Sequence, residues 1–188
     1  MSAATRTRMK VDPAGLLAGI MLSFLATAGL FYVNIMAAIV DGLITGLGLS
    51  ESQAGLIGSA NIYGASVGAL ISVVLIKIVP WRPAAYTLLI VLIALDLVSM
   101  PIESANALLA VRAFHGLVGG MLVGIAFGVI ARTAQADRTF GILLFVQFGL
   151  GGLGVMTLPQ LVPIYGTQAL FIALALFSFA SLVMLVFL

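Results

Sequence analysis

The basic residues of this chain sit in alternate connections between its apolar runs, and that partition limits how it can fold. Arg6, Arg8 and Lys10 precede the first run, Lys77 and Arg82 flank the turn after the second, and Arg132 and Arg138 flank the turn after the fourth. The connections near residues 42–52, 101–105 and 163–168 carry neither lysine nor arginine. Membrane insertion retains Lys and Arg on the cytoplasmic side. The alternation therefore predicts a multi-pass protein of the plasma (inner) membrane with six spans and both termini cytoplasmic. The eighth basic residue, Arg112, lies within a run, and it is the strongest single pointer to function.

Composition requires the same solvent. Hydrophobic residues make up 63% of the chain and charged residues 7%, with a mean hydropathy of +1.29. A soluble domain has roughly a quarter of its residues charged. Too little polar surface remains to cover a globule in water, so hydrocarbon must surround most of the exterior. The basic residues are dispersed at membrane edges rather than gathered in a stripe, which argues against a nucleic-acid partner. With no cysteine, disulfides, thiolate metal sites and thiol chemistry are excluded.

A spanning helix needs about 20 apolar residues. The spans are expected at 14–41, 52–78, 83–100, 105–131, 139–162 and 167–188, preceded by a cytoplasmic tail over 1–13. The first run is too long for a cleaved signal and reads as a retained helix. Gly46 and Gly48 mark the first turn, and Ser50 followed by Gln53 predicts a capping box opening the second helix. Pro80 and Pro83 mark the second turn and Pro101 the third, while Pro159 and Pro163 are expected to close the fifth span. Trp81 and Tyr165 fall at expected interfaces. No linker divides the chain, so residues 14–188 form one membrane domain.

Glycine placement is ordered. Gly116, Gly120, Gly124 and Gly128 recur every fourth residue in the fourth span, and Gly64, Gly68 and Ser72 make a shorter stripe in the second. Small residues at that spacing let helix backbones approach closely in lipid. Each stripe is expected to be a packing seam, either static or sliding.

Polar side chains inside a bilayer are costly, which makes them candidates for function. Thr27, Asn34 and Asp41 are seven apart in the first span and are expected on one face. Asn61 and Tyr63 lie in the second span, Asp96 in the third, Arg112 and His115 in the fourth, and Gln147 and Gln160 in the fifth. The turn between the third and fourth spans centres near residue 104. Asp96 and Arg112 are equally far from it along the chain, so they should stand level across an antiparallel hairpin. Asn34 is expected at a similar depth. A structural Asp96–Arg112 pair is one reading; an Arg112 turned toward a water-filled path is the other. His115, the single histidine, is a candidate proton relay or a packing residue. Asn34, Asn61, Tyr63, Asp96, Arg112, His115 and Gln147 form the expected substrate or coupling path.

Gly64-Ala65-Ser66-Val67-Gly68 fits the nucleophile-elbow pattern G-x-S-x-G, but that device needs a strand-to-helix turn. Here it falls mid-helix, so a hydrolase is rejected and no enzymatic activity is expected. No phosphate loop, metal-spaced His/Glu pair or dinucleotide fingerprint is present, so no cofactor or metal is expected.

Several of these segments resemble the amino-terminal half of a major facilitator superfamily transporter. Tyr32-Val-Asn34-Ile-Met-Ala-Ala, then Leu49-Ser-Glu-Ser-Gln-Ala-Gly55 and Asn61-Ile-Tyr63, resemble the first helix, outer loop and second-helix entry of that family. Val111-Arg112-Ala-Phe-His-Gly116-Leu-Val-Gly119-Gly120 resembles its fourth-helix arginine–glycine motif, associated in the family with energy coupling. Tyr165-Gly166-Thr-Gln-Ala-Leu-Phe171 resembles the sixth-helix entry. Two segments depart from the pattern. Residues 75–82 keep basic residues but lack the aspartate and glycine of the family's loop between helices two and three, and the fifth span lacks the G-P-x-x-G-G of proton-antiport drug exporters.

The resemblance implies two inverted three-helix repeats and secondary transport of a small solute. Family members have two six-helix halves, whereas 188 residues supply one. A homodimer, a separate partner half or a truncated product would each account for the length. A membrane scaffold that reuses the half-fold is the competing expectation.

Overall fold

The computed structural model describes residues 11–12 and 15–188. Most of the expected tail, including Arg6, Arg8 and Lys10, lies outside the described residues. The described chain forms α1 (Leu16–Asn34), α2 (Met36–Leu47), α3 (Glu51–Ile78), α4 (Trp81–Ser99), α5 (Ala105–Ile130), α6 (Ala136–Tyr165) and α7 (Gln168–Leu185). All of these except α2 are long and apolar enough to cross a membrane, and no strand occurs among the described residues. The protein is an all-helical, multi-pass membrane protein in its architecture.

The first span differs from expectation. It breaks at Ile35 (φ −106°, ψ 15°) and continues as α2 to Leu47, beyond the expected end at residue 41. Backbone bonds from Ile35 to Phe31 and from Ile39 to Ile35, both 3.1 Å, carry the chain through the break. Neither proline nor glycine lies at 33–38, so no residue type in the sequence marks the break. Thr27, Asn34 and Asp41 do not share one environment: Thr27 is buried, Asn34 half-buried and Asp41, beyond the break, exposed.

Local signals explain most other boundaries. The Ser50 hydroxyl accepts from the Gln53 amide N–H at 3.3 Å, and the Gln53 side chain accepts from the Ser50 N–H at 3.1 Å, the reciprocal box the sequence predicts. Gly48 ends α2 in the left-handed region at φ 66°, where a Cβ would be strained. Pro159 and Pro163 do not close the fifth span but lie inside α6, which runs to Tyr165. Proline's fixed φ is helical, so each ring removes one backbone bond without forcing an end.

Helices α1 and α5 occupy the centre. α3 packs along α5, α6 along α1, and α4 against both α5 and α7, while α2 sits between α3 and α6. One apolar cluster gathers around Leu25, Leu89 and Leu122, and another around Ile39, Ile57 and Leu170. The Val11 N–H reaches the Phe187 carbonyl at 3.2 Å, and Arg82 donates to the Leu188 carbonyl. Residues 11 and 187–188 therefore meet at one end of the bundle, as an even number of crossings requires.

Candidate functional site: a buried polar cluster

The α4–α5 hairpin brings Asp96 and Arg112 level, as their equal distance from the turn predicts. Arg112 Nη1 donates to Asp96 Oδ1 at 2.8 Å. Nη2 donates to the Leu95 carbonyl at 3.0 Å and to the Ser99 hydroxyl. Both side chains are fully buried. Counting 1.5 Å per residue from the start of α5 puts Arg112 roughly 10 Å inside the bundle. An unpaired charge there would carry a large desolvation cost, and the hairpin removes it by pairing.

Two further residues from the expected path join the cluster. His115 Nε2 lies 3.3 Å from the same Asp96 oxygen, and His115 Nδ1 lies 3.0 Å from Asn61 Nδ2. That amide nitrogen also donates to the Arg112 carbonyl at 3.1 Å, tying α3 to α5. Aromatic rings close the remaining sides. The Arg112 guanidinium stands 5.7 Å from the Tyr32 ring of α1 and 5.0 Å from the Phe171 ring of α7, within cation–π range. Tyr32 also packs on His115, with centroids 5.7 Å apart. Among the described residues, Asp96 Oδ2, Arg112 Nε and the Tyr32 hydroxyl make no hydrogen bond to protein.

Ser99, Tyr32 and Phe171 are members that sequence reasoning missed. Ser99 had a signal, since it lies three residues after Asp96 and so on the same helix face. Tyr32 and Phe171 had none, because which apolar neighbour meets Arg112 depends on how separate helices dock.

The two glycine stripes face each other, which explains how Asn61 comes so close. A Cβ at Gly64 would fall on the Ala113 carbonyl oxygen, and one at Gly68 on that of Leu117. From the other side, Gly116 abuts the Asn61 carbonyl oxygen, Gly120 that of Ala65, and Gly124 the Ser72 hydroxyl. The contact continues to Gly128 against Ile76. Residue numbers rise together on both helices, so the pair is parallel and in contact over roughly 20 Å at 1.5 Å per residue.

The remaining expected residues lie elsewhere. Asn34 stands two residues from Tyr32 and therefore points to the other side of the helix. Its Oδ1 accepts from Gln147 Nε2 of α6 at 3.1 Å, and both side chains are half-buried. Tyr63 is 74% exposed, on the rim of an open apolar groove with Val67 and Phe114. Gln160 is exposed and donates to the Met156 carbonyl at 3.0 Å, and the exposed Ser66 hydroxyl bonds the Ile62 carbonyl of its own helix at 3.0 Å. Among the described residues no group of three His, Asp or Glu is placed to hold a metal ion.

Set beside known proteins, the chain matches no family model and no curated protein.

Proposed function

We propose that this chain is a half-size transporter of the major facilitator type that moves a small solute together with a second six-span unit, a homodimeric copy or a partner half. The observation that carries this reading is the fully buried Arg112–Asp96–His115–Asn61 cluster. Charged side chains inside a membrane domain are rare and costly, and they commonly mark substrate or ion pathways. Arg112 also occupies the arginine position of the resembled fourth-helix motif, just before the glycines that let α3 approach.

Helix packing supports the finer architecture of two inverted three-helix repeats. Exchanging span one with four, two with five and three with six turns the α3–α5 contact into α6–α1 and returns α4–α7 to itself. The half-exposed Asn34–Gln147 pair supports a second unit, since bare amides against lipid are unfavourable. The basic-residue partition supports both termini on the cytoplasmic side of the plasma membrane.

A second reading, a non-transporting scaffold, draws on one specific feature. Both terminal nitrogens of Arg112 are already held by protein acceptors, as a static brace requires. Flux of labelled sugars, amino acids and organic anions into proteoliposomes separates the two. Transport predicts flux in the wild type and its loss in folded Arg112→Lys, because an ammonium cannot reproduce the planar fork of donors. A folded, assembled wild type with no flux of any of these solutes, or an active Arg112→Lys, counts against the proposal.

A further inference from the structure

His115 is the one titratable group of the cluster whose proton can be placed from hydrogen-bond geometry, and Asn61 places it. The Asn61 amide has an atom 3.1 Å from the Arg112 carbonyl oxygen. A backbone carbonyl can only accept, so that atom must be the NH2 nitrogen, which fixes the amide orientation. The same nitrogen lies 3.0 Å from His115 Nδ1. Its two hydrogens thus serve the carbonyl and the ring, and Nδ1 must offer a lone pair. The ring proton then belongs on Nε2, which stands 3.3 Å from Asp96 Oδ1.

We infer that Asn61 fixes His115 in the Nε2–H tautomer, so that His115 is a positioning residue that holds Asp96 jointly with Arg112 and not a carrier of mobile protons. A proton on Nδ1 would face the Asn61 N–H, donor against donor. Turning the amide to accept it would set the amide oxygen against the Arg112 carbonyl, acceptor against acceptor. Every polar or charged group bonded to or stacked on the ring enters this arrangement: Asp96 from α4, Asn61 from α3 and Tyr32 from α1, with Arg112 one turn away on α5. Residues 112 and 115 are i and i+3, so one face of α5 supplies both donors to a single carboxylate oxygen. Gly116 makes the arrangement possible, because a side chain there would push the Asn61 backbone away. The inference stands whether or not the chain transports a solute.

Nitrogen NMR tests it directly, since the chain has one histidine and every ring signal is its own. The full chain is labelled with ring-15N histidine, purified through a tag without histidine and placed in nanodiscs at neutral pH. The expected spectrum has a protonated Nε2 and an unprotonated Nδ1. A proton on Nδ1, alone or with one on Nε2, overturns the assignment, and this wild-type result needs no variant. In Asn61→Leu, the Nδ1 resonance should move toward that of an unbonded ring nitrogen. A folded Asn61→Leu with an unmoved Nδ1 resonance would overturn the role given to Asn61.

Discussion

Two helix seams flank the centre of this bundle, and they use glycine in opposite ways. In the α3–α5 seam, Gly64, Gly68, Gly116 and Gly120 each press on a carbonyl oxygen of the facing helix. In the α1–α6 seam the contacts are made by side chains: Gly19 meets Thr139, Gly151 meets the Asn34 Cβ, and Gly154 meets Ile35. Gly141, Gly149 and Gly152 of α6 meet nothing within 4 Å. Polar chemistry divides in the same way. The first seam encloses the buried Asn61 amide bonded to His115 and to the Arg112 carbonyl, and the second holds a half-buried amide pair. Glycine content alone therefore does not define a seam; what faces each missing side chain does. The first seam sets glycine against backbone, and the second sets it against side chains.

The largest contrast should come from charge. Arg112→Ala removes the cationic partner of the Asp96 carboxylate buried between α4 and α5, and breaking a buried pair by removing one partner costs about 3–5 kcal/mol. Arg112→Ala with Asp96→Ala should recover much of that loss, because no unpaired charge remains. Unfolding in detergent by denaturant titration measures the cycle. Additive losses in the double variant would mean that the two side chains are not one unit.

Packing gives a smaller contrast. Gly120→Val places branched carbons on the Ala65 carbonyl, and overpacking costs typically about 1–3 kcal/mol. Gly152→Ala, in open space on α6, should be neutral or gain up to about 1 kcal/mol from helix propensity. Equal effects at the two sites, read by thermal unfolding, would mean that the close approach of α3 to α5 imposes no packing constraint at Gly120.

How much of this was legible beforehand depends on whether a feature belongs to one helix or to two. Span positions follow from apolar length, and the Ser50–Gln53 cap follows from residues three apart. The Asp96–Arg112 pair follows because a short turn fixes the register of its hairpin. The glycine stripes were visible one by one, but not that they face each other, since nothing in α3 names its partner. The Asn34–Gln147 bond joins residues far apart in sequence and was hidden for that reason. The break at Ile35 was hidden because no proline or glycine announces it, and the continuation of α6 through Pro159 and Pro163 because proline tolerates helical φ.

The smallest expected loss lies in the α1–α6 seam. Removing the Asn34–Gln147 bond by Gln147→Ala should cost about 0.6 kcal/mol, the mean for polar contacts between membrane helices. A loss comparable to that of Gly120→Val would place the two seams on an equal footing.

Under the transport proposal, the side of the bundle where α2 lies between α3 and α6 faces a water-filled path in the assembled protein, and α4 and α7 face lipid. Over 90–98 and 172–183 every exposed side chain is apolar, as a lipid-facing surface requires. The chain has no cysteine of its own, so single cysteines report without background. Labelling by a charged, water-soluble methanethiosulfonate is measured in native membranes at Ala37→Cys and Gly152→Cys, and at Ile90→Cys and Leu176→Cys. Reaction is expected at the first two and none at the last two. Unreactive cysteines at residues 37 and 152, or equal reaction at all four, would contradict the proposal.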